Sequence, residues 1–388
     1  MGSQTIAAAP VAGRPAPASV PQAKERLLSL DVFRGFTLLG MVLVNSHPLG
    51  IFPGLGHARW NGWGFADLIF PFFVFIVGVA MPYAFARRIE RGETGSHLFW
   101  RIVRRSLLLF AVGVFLNGYP RFDLSTLRVM NVLQRIGICY FLASMLYVYL
   151  RMKTKHIVWL SGGILVLYFV LMKFVPVPGY GAGVLEPVGN WGNYIDRHIM
   201  YGHMQHAEYE GKSLLGTFPA LVTMLMGLLT GIYLRSEDPV FRKLVNLYFY
   251  GCVFMTAGVV WSAWFPINQG LWTSSLVLFM GGVALVFLAS CYYVVDVRKV
   301  TWWTSPCIIF GVNSLAVWVF SQLAMKTLVA IELHPAGAAP LNLWKAGAGV
   351  FAPYLGPVGG SLVFAILYVL FCLGVMAILY RRRIFIKL

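Results

Sequence analysis

The chain has 388 residues, 59% hydrophobic and only 12% charged, with a mean hydropathy of +0.73. Soluble domains average about a quarter charged residues, so the composition excludes an ordinary water-soluble domain and indicates an integral membrane protein. The net charge of +17 does not argue for nucleic acid, because Lys and Arg fall between apolar segments rather than on one face, as basic cytoplasmic loops do.

In chain order, residues 1–23 are rich in Ala and Pro (Pro10, Pro15, Pro17, Pro21). They cannot bury a core and are expected to form a disordered cytoplasmic tail. No apolar region precedes a cleavage site, so they do not read as a signal peptide. Residues 24–388 read as one transmembrane domain. Ten apolar segments follow, at about 28–46, 67–86, 101–117, 129–150, 157–175, 214–234, 244–265, 273–295, 304–331 and 358–380. Each approaches the roughly 20 residues a helix needs to cross a bilayer. No β-barrel alternation is present, so helices alone can satisfy the backbone in lipid. The expected fold is an all-α polytopic bundle of about ten transmembrane helices around a polar cavity.

Loop charge orients the bundle. Lys24 and Arg26, the Arg87–Arg105 cluster, Arg151 to Lys155, Arg235 to Lys243, Arg298 with Lys299, and Arg381 to Lys387 lie on one set of connections. The other set has only Arg59, Arg121, Arg128, Arg197, Lys212 and Lys345. The positive-inside rule then places both termini in the cytoplasm, as in a bacterial-type inner-membrane protein. The 176–213 connection is the longest outer loop and carries His198, His203 and His206 near Asp196, Glu208 and Glu210, without metal-ligand spacing. The cysteines (Cys139, Cys252, Cys291, Cys307, Cys372) are scattered singly, which implies neither a disulfide framework nor a zinc site. No metal is expected.

Ionisable and amide groups inside spans are expensive and face interior cavities by default. Asp31 and Arg34, three apart, share a helix face at the start of the first span, as an ion pair or a cofactor contact. Asn45 ends that span. His57 follows in the outer loop, in the run His57-Ala58-Arg59-Trp60-Asn61-Gly62, and Asp67 opens the second span, where it caps the helix or orients His57. Gln134 and Arg135, inside the fourth span, are expected to line the central cavity. Asn313 and Ser314 sit within the ninth, with helix–helix bonding as their plain explanation. An exposed imidazole at a membrane mouth suits general-base or acyl-carrier chemistry, and an amide such as Asn45 can donate to an oxyanion.

Several stretches together resemble one family: Arg26 to Gly35 (RLLSLDVFRG), the His57–Gly62 run, Ala66 to Ile76 (ADLIFPFFVFI), Val132 to Gly137 (VLQRIG), Tyr194 to Arg197 (YIDR), Glu210 to Thr217 (EGKSLLGT), Gly311 to Ser314 (GVNS) and Tyr380 to Phe385 (YRRRIF). In collinear order from about Arg26 to the C-terminus, they are similar to heparan-α-glucosaminide N-acetyltransferase, a lysosomal transmembrane acetyltransferase, and its bacterial relatives. The resemblance implies that acetyl-CoA enters from the cytoplasm and that acetyl passes to an amino sugar or other glycan acceptor on the far side of the bilayer. It assigns His57 to the active-site His and Asn45 to an Asn beside it. Arg34, Arg104, Arg105, Arg135 and Gln134 are the expected acetyl-CoA contacts, because CoA is anionic at its nucleotide end. Asp31, Asp67, Asn313 and Ser314 are expected supports, and Asp196, Arg197 and Glu210 acceptor-side residues or loop braces. A homodimer stays open as the assembly. The alternative is an amino-sugar (N-acetylglucosamine-type) transporter, against which stands the lack of a clear pair of Gly/Pro-broken helices.

Overall fold

A computed structural model describes residues 27–90, 92, 95–334 and 340–386; the tail expected over 1–23 lies outside them. The first helices are α1 (Leu28–Val44), α2 (Phe65–Glu90), α3 (Ser96–Gly118), α4 (Val132–Ser144, running on through a wide π turn to Tyr149) and α5 (Thr154–Phe174). A short α6 (Trp191–Ile199) stands in the longest loop. Then come α7 (Thr217–Leu234), α8 (Val240–Trp261), α9 (Ser274–Cys291, with a π turn to Val297), α10 (Ser305–Val312), α11 (Ser314–Ala330), α12 (Leu343–Gly349) and α13 (Ala352–Arg381). Two residue pairs, β1 (Glu332–Leu333) and β2 (Leu341–Asn342), form the one small antiparallel ladder between named strands in the described residues.

All ten expected segments are helical. Seven helices are long and apolar enough to cross a membrane, and α10 with α11 makes an eighth. That is fewer than the ten expected, and the difference lies in α1 and α3. Helix α1 has 17 residues and carries Asp31 and Arg34; α3 carries Arg101, Arg104 and Arg105. The expected ninth span is not one rod. It breaks at Asn313, where α10 and α11 meet at 87°. The fully buried Asn313 holds that corner: its amide donates to the Ile384 carbonyl (3.0 Å), and its oxygen accepts the Ile386 N–H (3.1 Å).

The helices sort by burial. Helices α7 and α9 are enclosed on most sides, whereas α5, α8 and α13 leave most of their surface outward. Polar α1 is tolerated because α2, α9, α10, α11 and α13 all pack on it. Its first two free N–H groups, at Leu28 and Ser29, donate to the Asp296 carboxylate (3.2 and 3.1 Å), which complements the helix dipole. Glycine allows the tightest contacts. A Cβ at Gly227 would lie 2.0 Å from the Phe75 carbonyl oxygen, so α2 and α7 meet backbone to backbone. One at Gly35 would lie 1.7 Å from that of Cys307, which locks α1 on α10.

Candidate active site

The loop between α1 and α2 folds back on itself. A Cβ at Gly64 would lie 2.2 Å from the Gly56 carbonyl oxygen, so only glycine lets the chain close there. That closure sets His57 beside the first turn of α2. Asp67 lies in this turn, buried to 3% exposure, with both carboxylate oxygens engaged. Oδ2 accepts the N–H groups of Ala58 (2.8 Å) and Gly64 (2.9 Å), and Oδ1 lies 2.6 Å from His57 Nδ1. An ionised carboxylate only accepts, so Nδ1 is the donor, and in the neutral imidazole Nε2 keeps its lone pair. The His57 side chain is half exposed, at 52%. The pair is thus a carboxylate-oriented imidazole on a half-exposed side chain, with no hydrogen bond to its other nitrogen, the arrangement a general base or acyl carrier needs.

The rest of the loop is pinned. Gly62, at φ 102°, donates its N–H to the Ile267 carbonyl (2.7 Å). The buried Asn268 amide donates to Trp60 O (2.9 Å) and Asn61 Oδ1 (3.1 Å), and the Trp60 indole donates to Leu185 O (3.0 Å). Asn45, by contrast, is exposed at the end of α1 and donates back to the Met41 carbonyl (2.7 Å). No hydrogen bond ties it to His57, and one amide N–H stays available.

Below this loop lies a cavity of about 320 Å³ between α1, α2, α3, α4 and the α10–α11 corner. Its walls are apolar, including Leu38, Val77, Leu109, Ile136 and Trp318, and its rim carries Arg34, Arg88 and Arg105. Arg34 bonds Asp31 and the Gly311 carbonyl, each at 3.4 Å. The Arg105 guanidinium lies 4.5 Å over the Tyr140 ring, and its buried Nε has no partner. Ser314 and Leu315, the first residues of α11, also face the cavity. Their free N–H groups and the helix dipole favour an anion there. Along α2 the cavity runs from Arg88 to Phe73, about 22 Å at 1.5 Å per residue. Phe70, one turn further on and packed edge-on against Trp272 at 4.8 Å, separates Phe73 from Asp67.

The other expected site residues divide. Arg104 is exposed and lines no described cavity. Gln134 and Arg135 part company: Gln134 lines a smaller second cavity, but Arg135 does not line either, contrary to expectation. It is fully buried, donates to the Ser213 carbonyl (2.7 Å) and lies 5.1 Å over Trp272. Neighbours on a helix point about 100° apart, so Gln134 faces Gly113 of α3 and Arg135 faces Ser213 and Trp272. The outer-loop residues brace that loop. Buried Glu210 takes Arg128 through both its oxygens and also accepts the N–H groups of Gln205 and Lys212. Asp196 accepts Leu214 N–H (3.0 Å), and Arg197 donates to the Val188 and Glu208 carbonyls. His198 and His203 bond separate backbone carbonyls, and His206 stacks on Tyr209. Among the described residues no three metal-ligating side chains converge.

Two cations were not among the expected site residues. Lys212 lies 5.6 Å from the centre of the Phe70 ring, within the electrostatic reach of Asp67, and burial pushes its amine down to about 8. Lys326 caps α3 by donating to the carbonyls of Leu116, Asn117 and Tyr119. A lysine inside an otherwise apolar segment was the signal for the second; nothing local marked the first.

Residues 26–180 match a family described as a domain of unknown function (DUF5009). Heparan-alpha-glucosaminide N-acetyltransferase of Mus musculus is 30% identical over 358 residues, covering 76% of this chain and 53% of its own length. The Homo sapiens protein of that name is also 30% identical, over 76% of this chain and 52% of its own. An uncharacterised 39.9 kDa protein of Bacillus acidopullulyticus, named for its position in an amylase 3′ region, is 38% identical over 98 residues, covering 23% of this chain and 27% of its own. The chain spans about half the length of the two acetyltransferases.

Proposed function

As this chain is a relative of the heparan-alpha-glucosaminide N-acetyltransferases, we propose that it is a transmembrane acetyltransferase. It takes acetyl from acetyl-CoA at the arginine-rimmed end of the bundle and delivers it to an amino sugar or related glycan acceptor at the His57 end. The observation that carries this reading is the His57–Asp67 pair with no hydrogen bond to Nε2, set at the opposite end of α2 from Arg88. Asp67 and Arg88 are about 32 Å apart along the helix, close to the thickness of a bilayer's hydrocarbon core.

Each part has a role set by its chemistry. Arg34, Arg88, Arg105 and the start of α11 supply positive charge for the phosphates of CoA. The apolar walls take the uncharged arm. At the far end, His57 Nε2 accepts the proton of the acceptor amine as nitrogen attacks the thioester carbonyl. The C–N bond forms, the C–S bond breaks, and the imidazolium returns the proton to the departing thiolate. A ping-pong route, in which Nε2 itself takes the acetyl group, uses the same geometry. Asp67 holds the tautomer and stabilises the imidazolium in either case. Asn45 retains one N–H for the carbonyl oxygen.

The test is transfer of labelled acetyl from acetyl-CoA to glucosamine by protein in proteoliposomes. His57→Ala, folded and inserted, is expected to lose about 10²- to 10⁴-fold in rate; undiminished transfer removes His57 from the chemistry. Glucosamine uptake without acetyl-CoA would mark a transporter instead.

A further inference from the structure

Lys212 stands in the turn that leads into α7, and its backbone N–H donates to Glu210 Oε1 (2.9 Å). The residue is half-buried, and its side chain runs to Phe70, with Nζ 5.6 Å from the ring centre. Among the described residues Nζ makes no hydrogen bond and no ion pair; the ring is its one partner. The carboxylates nearby are already taken. Arg128 occupies both oxygens of Glu210, and His57 with two backbone N–H groups occupies Asp67. An ammonium has three donors to place, and drawing one out of water with no acceptor is costly unless another group completes it.

We infer that the Lys212 ammonium stabilises the negative charge that builds on the donor's sulfur as the C–S bond breaks. The inference rests on acetyl-CoA being the donor. It follows from the order of residues along α2. The main cavity ends at Phe73, Phe70 stands one turn further, and Asp67, which holds His57, one turn beyond that. A donor entering from the arginine rim presents its acetyl group foremost. When the carbonyl reaches His57, the sulfur therefore trails on the Phe70 side, and Lys212 Nζ is a cation on that side. As the acceptor nitrogen attacks, the C–N bond forms and His57 takes the amine proton. The C–S electron pair goes to sulfur, and the ammonium holds the thiolate until the imidazolium returns the proton. Lys212 is charged before and after the turnover. Phe70 and Trp272 are both buried, and an apolar wall strengthens a contact between charges. The amine works only when protonated. Burial, with Arg128 and Arg135, draws it down to about 8 against the opposing pull of Glu210 and Asp67, so it is charged at neutral pH and loses the role above about 8.

The experiment compares two acetyl donors, acetyl-CoA and the p-nitrophenyl thioester of acetic acid, with glucosamine as acceptor and the full chain in proteoliposomes. The aryl thiolate carries its charge without help. Lys212→Met, of similar length and uncharged, is expected to lower kcat with acetyl-CoA about 10²-fold, to leave the aryl donor little changed, and to keep or raise the melting temperature. Lys212→Arg keeps a charge that does not titrate, so the ratio of its kcat to that of the unaltered protein should rise as pH climbs through about 8. Equal loss with both donors, full activity of Lys212→Met with acetyl-CoA, or a ratio that stays flat with pH overturns the inference. Should the aryl donor not be accepted, the pH ratio decides. His57→Ala is expected to lose transfer from both donors. If the unaltered protein transfers acetyl from neither, the acetyltransferase reading fails, and the inference with it; a failure at Lys212 alone leaves that reading in place.

Discussion

The Asp67→Asn substitution tests the active-site argument most directly. Asp67 accepts three hydrogen bonds, from Ala58 N–H, Gly64 N–H and His57 Nδ1–H. Asparagine has one oxygen to offer. If that oxygen keeps the two backbone donors, the amide NH₂ faces His57, and Nδ1 must become the acceptor. The proton then moves to Nε2, and that nitrogen is no longer a base. A comparable change at the Asp of a Ser–His–Asp triad lowers kcat by about 10⁴. Here the imidazole is half exposed and can recover in part, so a loss of about 10²- to 10⁴-fold is expected. Exchange of a charged acceptor for a neutral one also destabilises the loop, by about 1.5–3 kcal/mol. The assay is single-turnover transfer of labelled acetyl to glucosamine, with thermal unfolding as control. The double variant with His57→Ala is expected to be no slower than His57→Ala alone, because the two residues act as a unit. If Asp67→Asn retains nearly full activity, or if its loss multiplies with that of His57→Ala, the paired mechanism is wrong.

Other predictions follow from the same geometry. Gly64→Ala, whose Cβ would strike the Gly56 carbonyl at 2.2 Å, is expected to displace His57 and lower kcat about as much as Asp67→Asn, with KM for acetyl-CoA little changed. Arg105→Gln removes a rim charge and its stacking on Tyr140, so KM for acetyl-CoA should rise about tenfold with kcat retained; an unchanged KM would remove Arg105 from donor binding. Burial, with the nearby Glu210 charge, pushes the Asp196 carboxyl up to about 7. The folded chain therefore holds this proton where the unfolded chain has lost it, and stability falls as pH rises from about 4 to about 7. Asp196→Asn is expected to abolish that fall, with a gain of up to about 4 kcal/mol above pH 7 and none near pH 4. Melting temperatures of both proteins that run parallel across this range would refute the assignment.

Much of the architecture was legible because lipid leaves the backbone few choices. Each apolar segment had to be a helix, and all ten are. The corner at Asn313 was not legible, since the residues that hold it, Ile384 and Ile386, lie about seventy positions away. The His57–Asp67 relation was half visible: proximity in sequence allowed it, but closure of the loop at Gly56 and Gly64 makes it. Arg135 shows where such reading stops. A buried arginine inside a span was expected to face the cavity, yet it points to Ser213 and Trp272. The adjacent Gln134, expected at the central cavity too, lines the smaller second one.

Hydropathy and loop charge by themselves determined that this chain is a helical membrane protein and which polar residues had to find partners. These are properties of single segments against their solvent, and every segment carries them locally. Which partner each polar residue found was decided by helix packing alone: Asp296 at the start of α1, Asp67 at His57, and none yet at Gln134. A hydrogen bond depends on ångströms and on the rotation of each helix about its axis, and neither is set until the neighbouring helices are in place.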